Sequence, residues 1–423
     1  MLNDEDNQRM CRVGANQPMG RLLRRHWLPV MSTDRLKIGG DPLPVRLVGE
    51  DFVAWRDDSG RVGLFDQSCL HRSASMSLAR AEGDGLRCIY HGWKFAVDGT
   101  VLDTPNVADP AFARRLKGRT HPVREAGGLL WTYLGPPDEM PAFPDWPWMS
   151  LPDAQRLVVP HVQACNFVQV IEGLVDSSHL GVLHSNGLRQ ATRSDLGFAQ
   201  KVQSMQFNLA PRLEAQDSDF GFYYAALRDS PDATTVEARV TAFVAPFTVL
   251  NPNGDIMSLL VPIDDTHTVF YHVFWSPTEP LNREPLRSRH LDFIGLTDDA
   301  LVRFGLTPDT MGTPGTPSPA NNFQQDRVAM RGGLSFSGLP GLIEEDVAVA
   351  VSSGPVRDRT REVLCGADVA IRRLYNALLR ALDQPVPPID YQTITGTHAQ
   401  LDSRADWREL LPTLQTSTPQ GDH

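Results

Sequence analysis

Two short stretches of this sequence combine a cysteine with a histidine, and they decide how the chain is interpreted. The first reads Cys-Leu-His-Arg over residues 69–72, and the second reads Cys-Ile-Tyr-His-Gly-Trp-Lys over residues 88–94. Two thiolates and two imidazoles in two short loops make a four-ligand metal site. A [2Fe–2S] cluster with mixed ligands requires one Cys and one His from each loop, because two Cys hold one iron and two His hold the other. The predicted ligands are Cys69, His71, Cys88 and His91.

Two other interpretations of this pattern stay open from the residues alone. A single structural zinc ion accepts two Cys and two His in any order, and unrelated core thiols with hydrogen-bonded histidines would need no metal. The asymmetric CxH and CxxH pair, with Gly92 and Trp93 beside it, favours the cluster. Imidazole ligands raise the reduction potential, so such a cluster accepts electrons readily.

The sequence around these loops predicts a small all-β module. Short apolar runs alternate with Gly- and Asp-rich turns from residue 29 to about residue 135, which is typical of short strands. Residues 1–25 are predicted to be helical, and a Pro- and Trp-rich stretch at 141–148 indicates a linker. We therefore predict a first domain over residues 1–148.

The rest of the chain predicts a larger domain of helices and strands over residues 149–400, followed by a flexible tail at 401–423. The predicted elements are a helix over 166–183, strands at 220–228, 235–244 and 266–275, and an amphipathic helix at 367–382. A stretch rich in Thr, Pro and Gly at 307–319 is predicted to be an active-site lid, with a simple surface loop as the alternative.

A second group of polar side chains lies in the helix that is predicted to open this domain. Glu172, Asp176 and His179 fall at i, i+4 and i+7, so they are predicted to share one helical face. His184 lies five residues after His179, about 140° around an ideal helix. Both reach one metal ion only where the helix is broken or widened, which Gly181 permits. Taken singly, such residues are as easily a solvated face or a core histidine.

The two cluster loops resemble those of the Rieske non-haem iron oxygenases. The resemblance extends to residues 18–30 and 122–128, and these features are similar to the phthalate dioxygenase branch, in which one type of subunit carries both metal centres. It covers about residues 1–385. The fold that it implies is α+β, with an N-terminal all-β Rieske [2Fe–2S] domain before a catalytic domain in which a curved antiparallel sheet accompanies the helices that carry a mononuclear iron.

The resemblance also implies which residues bind that iron. Residues 176–184 resemble the family's Asp-x2-His-x4-His motif, which implies His179 and His184 as ligands of Fe(II). The segment from residue 345 resembles the family's C-terminal carboxylate ligand and implies Asp346, completing the two-His, one-carboxylate triad that leaves positions open for O2. The alternatives to Asp346 are Glu345, Glu344 and the more distant Asp326.

Asp176 is predicted to connect the two metal centres. A carboxylate beside a ligand histidine is the expected partner for its free ring N–H. The resemblance implies that Asp176 lies between His179 of one subunit and His91 of its neighbour, in a head-to-tail trimer or in two stacked trimers. The alternative is that Asp176 caps or solvates the helix.

The source of electrons and the substrate follow from the resemblance and from what the sequence lacks. No dinucleotide-binding fingerprint or ferredoxin-type cysteine cluster occurs in the sequence, so a separate NAD(P)H-dependent flavin and iron–sulfur reductase is the predicted partner. The resemblance implies ring dihydroxylation of a phthalate- or benzoate-type acid in aromatic catabolism, with O-demethylation of a methoxylated acid as the alternative. An alternative of another class is a non-catalytic metal or electron-transfer module.

A substrate carboxylate requires a fixed guanidinium. Arg239, on the predicted strand 235–244, is the candidate anchor, with Arg212 as the alternative. Residues 222–224, Phe-Tyr-Tyr, are candidates for an aromatic pocket or for the core.

Composition excludes several classes of partner. The 423 residues carry a formal net charge of −11, which argues against nucleic acid and anionic membranes. The sequence contains no apolar run of about 18 residues, the length that a membrane span needs. The charged start of the chain and only five cysteines predict a reducing, cytoplasmic location.

Overall fold

The chain has a β-rich N-terminal part and a mixed C-terminal part, and the computed structural model describes residues 2–109, 111–191, 196 and 208–412. The helices are α1 (Asp4–Cys11), α2 (Pro18–Arg24), α3 (Phe167–Val175), α4 (Leu180–Leu183), α5 (Ser185–Ala191), α6 (Leu286–Ile294), α7 (Asp298–Phe304), α8 (Arg327–Arg331), α9 (Leu342–Ser352) and α10 (Val369–Asp383). The first strands are β1 (Trp27–Ser32), β2 (Leu43–Leu47), β3 (Glu50–Arg56), β4 (Val62–Asp66), β5 (Arg80–Glu82), β6 (Gly85–Arg87), β7 (Lys94–Phe95), β8 (Val101–Asp103), β9 (Val123–Ala126) and β10 (Leu129–Tyr133). The later strands are β11 (Arg156–Gln163), β12 (Arg212–Ser218), β13 (Gly221–Asp229), β14 (Thr235–Val244), β15 (Thr248–Leu250), β16 (Ile256–Asp264), β17 (His267–Trp275) and β18 (Thr397–Asp402).

Three small antiparallel sheets form the N-terminal part, with strand orders β1-β10-β9, β2-β3-β4 and β5-β6-β7-β8. The two Cys–His loops connect β4 to β5 and β6 to β7. Trp55, Phe65 and Phe95 pack with Cys69 and Cys88 in a small hydrophobic core that is separate from the main core. The cluster loops therefore have a core of their own.

An antiparallel sheet of eight strands dominates the C-terminal part. Its order is β11-β17-β16-β15-β14-β13-β12, and β18 pairs with the first half of β14, where β15 does not reach. Helix α10 packs on β12 and β13 and also contacts α3. The predicted α+β fold, an all-β module before a larger domain with an antiparallel sheet, is confirmed. The predicted strands and the predicted C-terminal helix match β13, β14, β17 and α10 within two residues.

The helix predicted over residues 166–183 is wrong in its second half. Helix α3 ends at Val175, and the chain becomes helical again only in the short α4. The side chain of Asp176 accepts hydrogen bonds from the Ser178 backbone N–H at 2.7 Å and from the Ser178 hydroxyl at 2.6 Å. An aspartate that binds the following backbone in this way competes with helical hydrogen bonding. The break therefore lies before His179 rather than at Gly181.

The tail predicted to begin at residue 401 is wrong for residues 401–412. Strand β18 continues to Asp402, and Trp407 is buried with its indole Nε1 donating to Glu214 Oε2 at 2.9 Å. The rest of the predicted tail, 413–423, lies outside the described residues. The domain boundary at residue 148 stays a prediction. Among the described helices, none has the length and apolarity that crossing a bilayer requires.

Candidate metal centres

The backbone of each Cys–His loop folds back on its own cysteine. Cys69 donates its N–H to Ala74 O at 2.8 Å, and Cys88 donates to Trp93 O at 2.9 Å. Trp93 also stacks on His71, with ring centroids 4.5 Å apart and planes 3° from parallel. These contacts hold both thiols inside the small core and leave the two histidines half-buried at its surface.

The four predicted cluster ligands separate into a cysteine pair and a histidine pair. The Cys88 thiol lies close enough to Cys69 to help raise its pKa, after the larger effect of burial, while the ring centroids of His71 and His91 lie 4.5 Å apart. No three of these four side chains have ligand atoms that all lie within 4.8 Å of one another. Among the described residues, such a group occurs at the second site instead. The pairs therefore do not converge on one point, as a single zinc ion would require, and they match the two-plus-two ligation of a [2Fe–2S] cluster.

Two further properties of these side chains fit a metal cluster. His71 Nδ1 is buried and has no hydrogen-bond partner, so it is available as a ligand atom. Desolvation, with the nearby charges of His71 and Arg72, lowers the pKa of His91, which favours the neutral imidazole that binds metal. Burial raises the pKa of Cys69 to about 11, so binding a metal there must displace a proton.

The second predicted site is assembled from two distant segments of the chain. His179 and His184 flank the short helix α4, and Asp346 lies in α9. Asp346 Oδ1 is 3.0 Å from His184 Nε2 and 3.7 Å from His179 Nε2, and one ligand atom from each of the three residues lies within 4.8 Å of the others. Two imidazoles and one carboxylate on one side of a metal ion suit Fe(II) with open positions.

Each histidine has a second carboxylate beside its Nδ1 atom, on the side of the ring away from Asp346. His184 Nδ1 donates to Glu345 Oε2 at 2.7 Å, and Glu345 accepts from the Ser337 hydroxyl at 2.5 Å. His179 Nδ1 is 3.3 Å from Asp176 Oδ2. Because these partners occupy Nδ1, both rings present Nε2 to Asp346, as metal-binding histidines with an outer carboxylate do.

The charges in this site shift several pKa values. Burial opposes protonation of His184, but the carboxylates of Asp346 and Glu345 outweigh it and raise its pKa to about 10. Burial by itself would raise the pKa of Asp346, but the nearby His184 and His179 outweigh it and hold that pKa below its ordinary value. Hydrogen bonds from His179 and Ser178 do the same for the pKa of Asp176. The carboxylates of Asp346 and Asp176 are therefore charged at neutral pH.

The structure also locates the alternatives to Asp346 and the remaining candidates. Glu345 binds the outer side of His184, and Glu344 turns toward the backbone of Gly295 and Gly341. Asp326 caps helix α8. Glu172 and Asp176 lie one helical turn apart and both line one cavity, but α3 ends before His179, so the predicted three-residue face does not continue to that histidine. The Glu172 carboxylate binds a separate set of residues, which are Arg357, Arg359 and Tyr375.

A cavity of about 330 Å³ adjoins the second site. Asp176, His179 and Asp346 line it together with buried residues of the sheet, which are His161, Gln163 and Phe270. His161 bonds His272 through Nδ1 at 3.0 Å and Gln163 through Nε2 at 2.8 Å, and burial lowers its pKa to about 3. Sequence analysis missed these residues, because a histidine inside an apolar strand carries no distinguishing signal.

Arg239 does not line this cavity. It is buried in β14, where its Nη2 donates to Asn253 Oδ1 at 3.3 Å. Strand register places Arg239 on the same sheet face as Tyr224 and Arg228 of β13. The Nη1 of Arg228 is buried without a hydrogen-bond partner, and this arginine was also missed from the sequence.

Comparison with known proteins identifies both parts of the chain. Residues 26–118 match the Rieske [2Fe–2S] domain, and residues 132–403 match the family described as LigXa C-terminal domain like. The chain belongs to the Rieske oxygenases, on the phthalate dioxygenase-like branch. The oxygenase subunit of phthalate 4,5-dioxygenase from Pseudomonas putida is 37% identical, over 90% of this chain and 86% of that subunit. The oxygenase subunit of 3-chlorobenzoate-3,4-dioxygenase from Comamonas testosteroni is 32% identical, over 90% of this chain and 89% of that one.

Solved structures support the fold of this Rieske oxygenase. A variant oxygenase and ferredoxin complex of carbazole 1,9a-dioxygenase covers 91% of this chain and 96% of its own at 18% identity, with a TM-score of 0.55. As a Rieske oxygenase the protein is an oxidoreductase that uses a [2Fe–2S] cluster, a mononuclear iron and O2. The zinc and non-catalytic interpretations are therefore wrong.

Proposed function

We propose that this Rieske oxygenase hydroxylates the ring of a small aromatic carboxylate, using electrons from an NAD(P)H-dependent flavin and iron–sulfur reductase. The named substrates of two relatives, phthalate and 3-chlorobenzoate, are aromatic acids. The observation that carries the substrate class is the buried guanidinium pair of Arg228 and Arg239 beside Tyr224. Burial and the nearby charge of Asp176 raise the pKa of Tyr224, so this sheet face lies near the cavity that Asp176 lines. Arg228 Nη1 is a donor without a partner, and a planar guanidinium suits a carboxylate.

We assign the [2Fe–2S] cluster to the Cys69, His71, Cys88 and His91 side chains and the mononuclear iron to His179, His184 and Asp346. When bound, the iron supplies the activation of O2 that no side chain can perform. The protein's own residues orient the ligands. Glu345 fixes the His184 tautomer, and Ser178 restrains Asp176 against His179. The apolar and aromatic part of the cavity excludes water from the ring of the substrate.

We further propose that Asp176 connects the iron of one subunit to the cluster of the next in a homotrimer or a stacked pair of trimers. Apolar side chains beside the cluster histidines are exposed, namely Leu70, Ile89 and Tyr90. Val349 and Val363, at the wall of the cavity that contains Asp176, are exposed as well, Val363 to 93%. Exposed apolar groups at two complementary positions support a head-to-tail contact between copies of this chain.

Product analysis tests the substrate class. The purified protein is incubated with a phthalate-type reductase, NADH and a panel of phthalates, benzoates and methoxybenzoates. Ring dihydroxylation adds two oxygens and two hydrogens to the acid. An Arg228→Met variant, with Arg212→Met as the exposed control, should raise KM about tenfold or more, because a charged hydrogen bond is lost. No product from any acid, with both metal centres loaded, would contradict the proposal.

O-demethylation is the second candidate. The oxygenase subunit of 5,5'-dehydrodivanillate O-demethylase from a Sphingobium strain is 29% identical over 91% of this chain. The same experiment separates the two reactions, because demethylation removes CH2 from the acid and releases formaldehyde.

Mixing subunits tests the trimer. Cys69→Ser chains lack a cluster ligand, and His179→Ala chains lack an iron ligand, so each is inactive alone. Mixed oligomers should regain activity if electrons cross between subunits, whereas transfer within one chain predicts none.

We also infer a cytoplasmic location and a role in the breakdown of aromatic compounds. None of the five cysteines, all of which lie in the described residues, forms a disulfide bond, which suits a reducing compartment.

A further inference from the structure

The N-terminal helix α1 and the residues after it hold the beginning of α3. Asn166 caps α3 by accepting the Val168 N–H at 3.1 Å. Its side-chain amide donates to Cys11 O at 2.9 Å and to Asp265 O at 2.7 Å. The Asp265 carboxylate in turn accepts the Val13 N–H at 2.8 Å. One buried amide thus joins α1, α3 and the β16–β17 turn.

Helix α1 also holds the last turn of α3, through a buried arginine. Arg359 pairs with Glu172 of α3 through Nε and donates from Nη1 to Asn7 Oδ1 at 2.9 Å. Asn7 Nδ2 donates to Arg357 O at 3.0 Å. Glu172 also accepts from Arg357 Nη1 at 2.8 Å and from the Tyr375 hydroxyl at 2.9 Å. Glu172, Arg359 and Asn7 are each at most 3% exposed.

This second contact lies one helical turn from the proposed electron bridge. The Asp176 N–H donates to Glu172 O at 3.0 Å, which is the final hydrogen bond of α3. Asp176 then accepts from Ser178 and faces His179. A displacement of Glu172 therefore moves Asp176 relative to the iron ligands.

We propose that Asn7, Arg359 and Asn166 are positioning residues, through which α1 fixes both ends of α3 and thereby sets the rate of electron transfer from the cluster to the iron. The proposal rests on the bridging role of Asp176. It gives the first helix of the chain, which contributes no ligand to either centre, a part in the reaction. The paired charge of Glu172 and Arg359 is buried, so its geometry is strongly constrained.

Three variants separate positioning from general stability. Asn7→Ala removes the amide oxygen that accepts from Arg359 and leaves the Cys11 thiol, at 3.3 Å from Arg359 Nη1, as the weaker acceptor on α1. Asn166→Ser keeps an oxygen for capping α3 but removes the amide that binds Cys11 and Asp265. The matched control is Arg9→Ala, on the same helix, which removes partly exposed ion pairs with Asp6 and Asp383 and no contact with α3 residues that the proposal uses.

Hydrogen exchange in the full-length, metal-free chain gives the first readout. Amides of residues 170–176 should exchange faster in Asn7→Ala and Asn166→Ser and at the wild-type rate in Arg9→Ala, because only the first two loosen α3. If Arg9→Ala loosens α3 equally, or if neither of the others does, α1 does not hold α3 in the proposed way.

Electron transfer gives the second readout, in metal-loaded protein whose mononuclear iron has been oxidised to Fe(III). Dithionite is mixed in anaerobically, one electron leaves each reduced cluster, and each converts one Fe(III) to Fe(II), which freeze-quench EPR follows as loss of the ferric signal. The rate should fall about tenfold in Asn7→Ala and Asn166→Ser, with the cluster spectrum unchanged, since small displacements of a positioned group carry large kinetic costs.

An Asp176→Asn sample separates the two ways in which the idea can fail. Wild-type transfer in Asp176→Asn would overturn the bridging role itself. Slow transfer in Asp176→Asn with normal transfer in Asn7→Ala and Asn166→Ser would overturn only the role of α1. If either Asn7→Ala or Asn166→Ser does not fold, the other variant alone tests the role of α1.

Discussion

The two metal-binding regions of this chain are built in opposite ways. The cluster loops lie 19 residues apart, between Cys69 and Cys88, and close on their own small core. The iron-site residues come from segments 162 residues apart, His184 and Asp346, which only the packing of α9 beside α4 brings together. A site formed by two nearby loops can form from local structure, whereas a site formed by distant helices forms only when the domain has folded.

Crossed ligand variants test this independence and carry the largest expected effect. His184→Ala removes an iron ligand and should abolish product formation while leaving the red-brown cluster intact. Cys69→Ser should remove the cluster and its colour while leaving mononuclear iron in place. Iron and sulfide analysis with the visible spectrum checks both. Loss of the cluster in His184→Ala would show that the two regions do not fold independently.

Replacing the proposed bridge has the next largest effect. Asp176→Asn keeps the shape of the side chain but removes the charge that faces His179, so turnover should fall about 100-fold or more if the carboxylate carries the connection. Both metal contents should stay at wild-type values. The measurement is the rate of product formation together with the fraction of NADH oxidation that yields product. Turnover within a factor of two of wild type would contradict the bridging role of Asp176.

The outer carboxylate of His184 has a smaller effect, confined to the iron site. Glu345→Gln weakens the hydrogen bond that fixes the His184 ring, and iron affinity should fall about 10- to 100-fold. Glu344→Gln is the matched control, because that neighbouring buried carboxyl turns away from the histidines. Competition with a chelator measures the iron affinity of both variants. Equal losses of affinity in the two variants would contradict the specific role of Glu345.

The smallest expected effect is a difference in acid sensitivity. Lowering the pH should destabilise the catalytic sheet before it destabilises the cluster loops. Burial lowers the pKa of His161 to about 3 and that of His290 to about 4, and it lowers the pKa of His272 well below its ordinary value. Below the ordinary histidine pKa of about 6.5, the unfolded chain binds protons that the folded chain refuses, so the free energy of unfolding falls by about 1.4 kcal/mol per pH unit for each group.

Urea unfolding between pH 7 and pH 4.5, followed by tryptophan fluorescence, checks this sign. His161→Phe should flatten the dependence on pH relative to wild type. A free energy of unfolding that rises toward pH 4.5 would contradict it.

The same contrast explains what sequence analysis could and could not predict. Cys69 and His71 lie in one loop, and residue spacing alone indicates a metal there. Asp346 required the family resemblance, because nothing local distinguishes it from Glu345 beside it. The break at Asp176 was missed because the sequence pattern is that of an amphipathic helix, whereas the hydrogen bonds that Ser178 donates to the Asp176 carboxylate compete with helix formation. His161 and Arg228 acquire meaning only from the cavity and the sheet face on which they lie.

The pairing of β18 with β14 has a consequence for how the protein is made. The ribosome releases the cluster loops first, and their core can close while most of the chain is still to be synthesised. Residues 397–402 follow β14 along the chain by about 150 residues, so half of β14 keeps an exposed hydrogen-bonding edge until they emerge. A nascent chain therefore contains all four cluster ligands long before its catalytic sheet is complete, and a chain that stopped before residue 397 would keep those ligands but lack the strand that pairs with this half of β14.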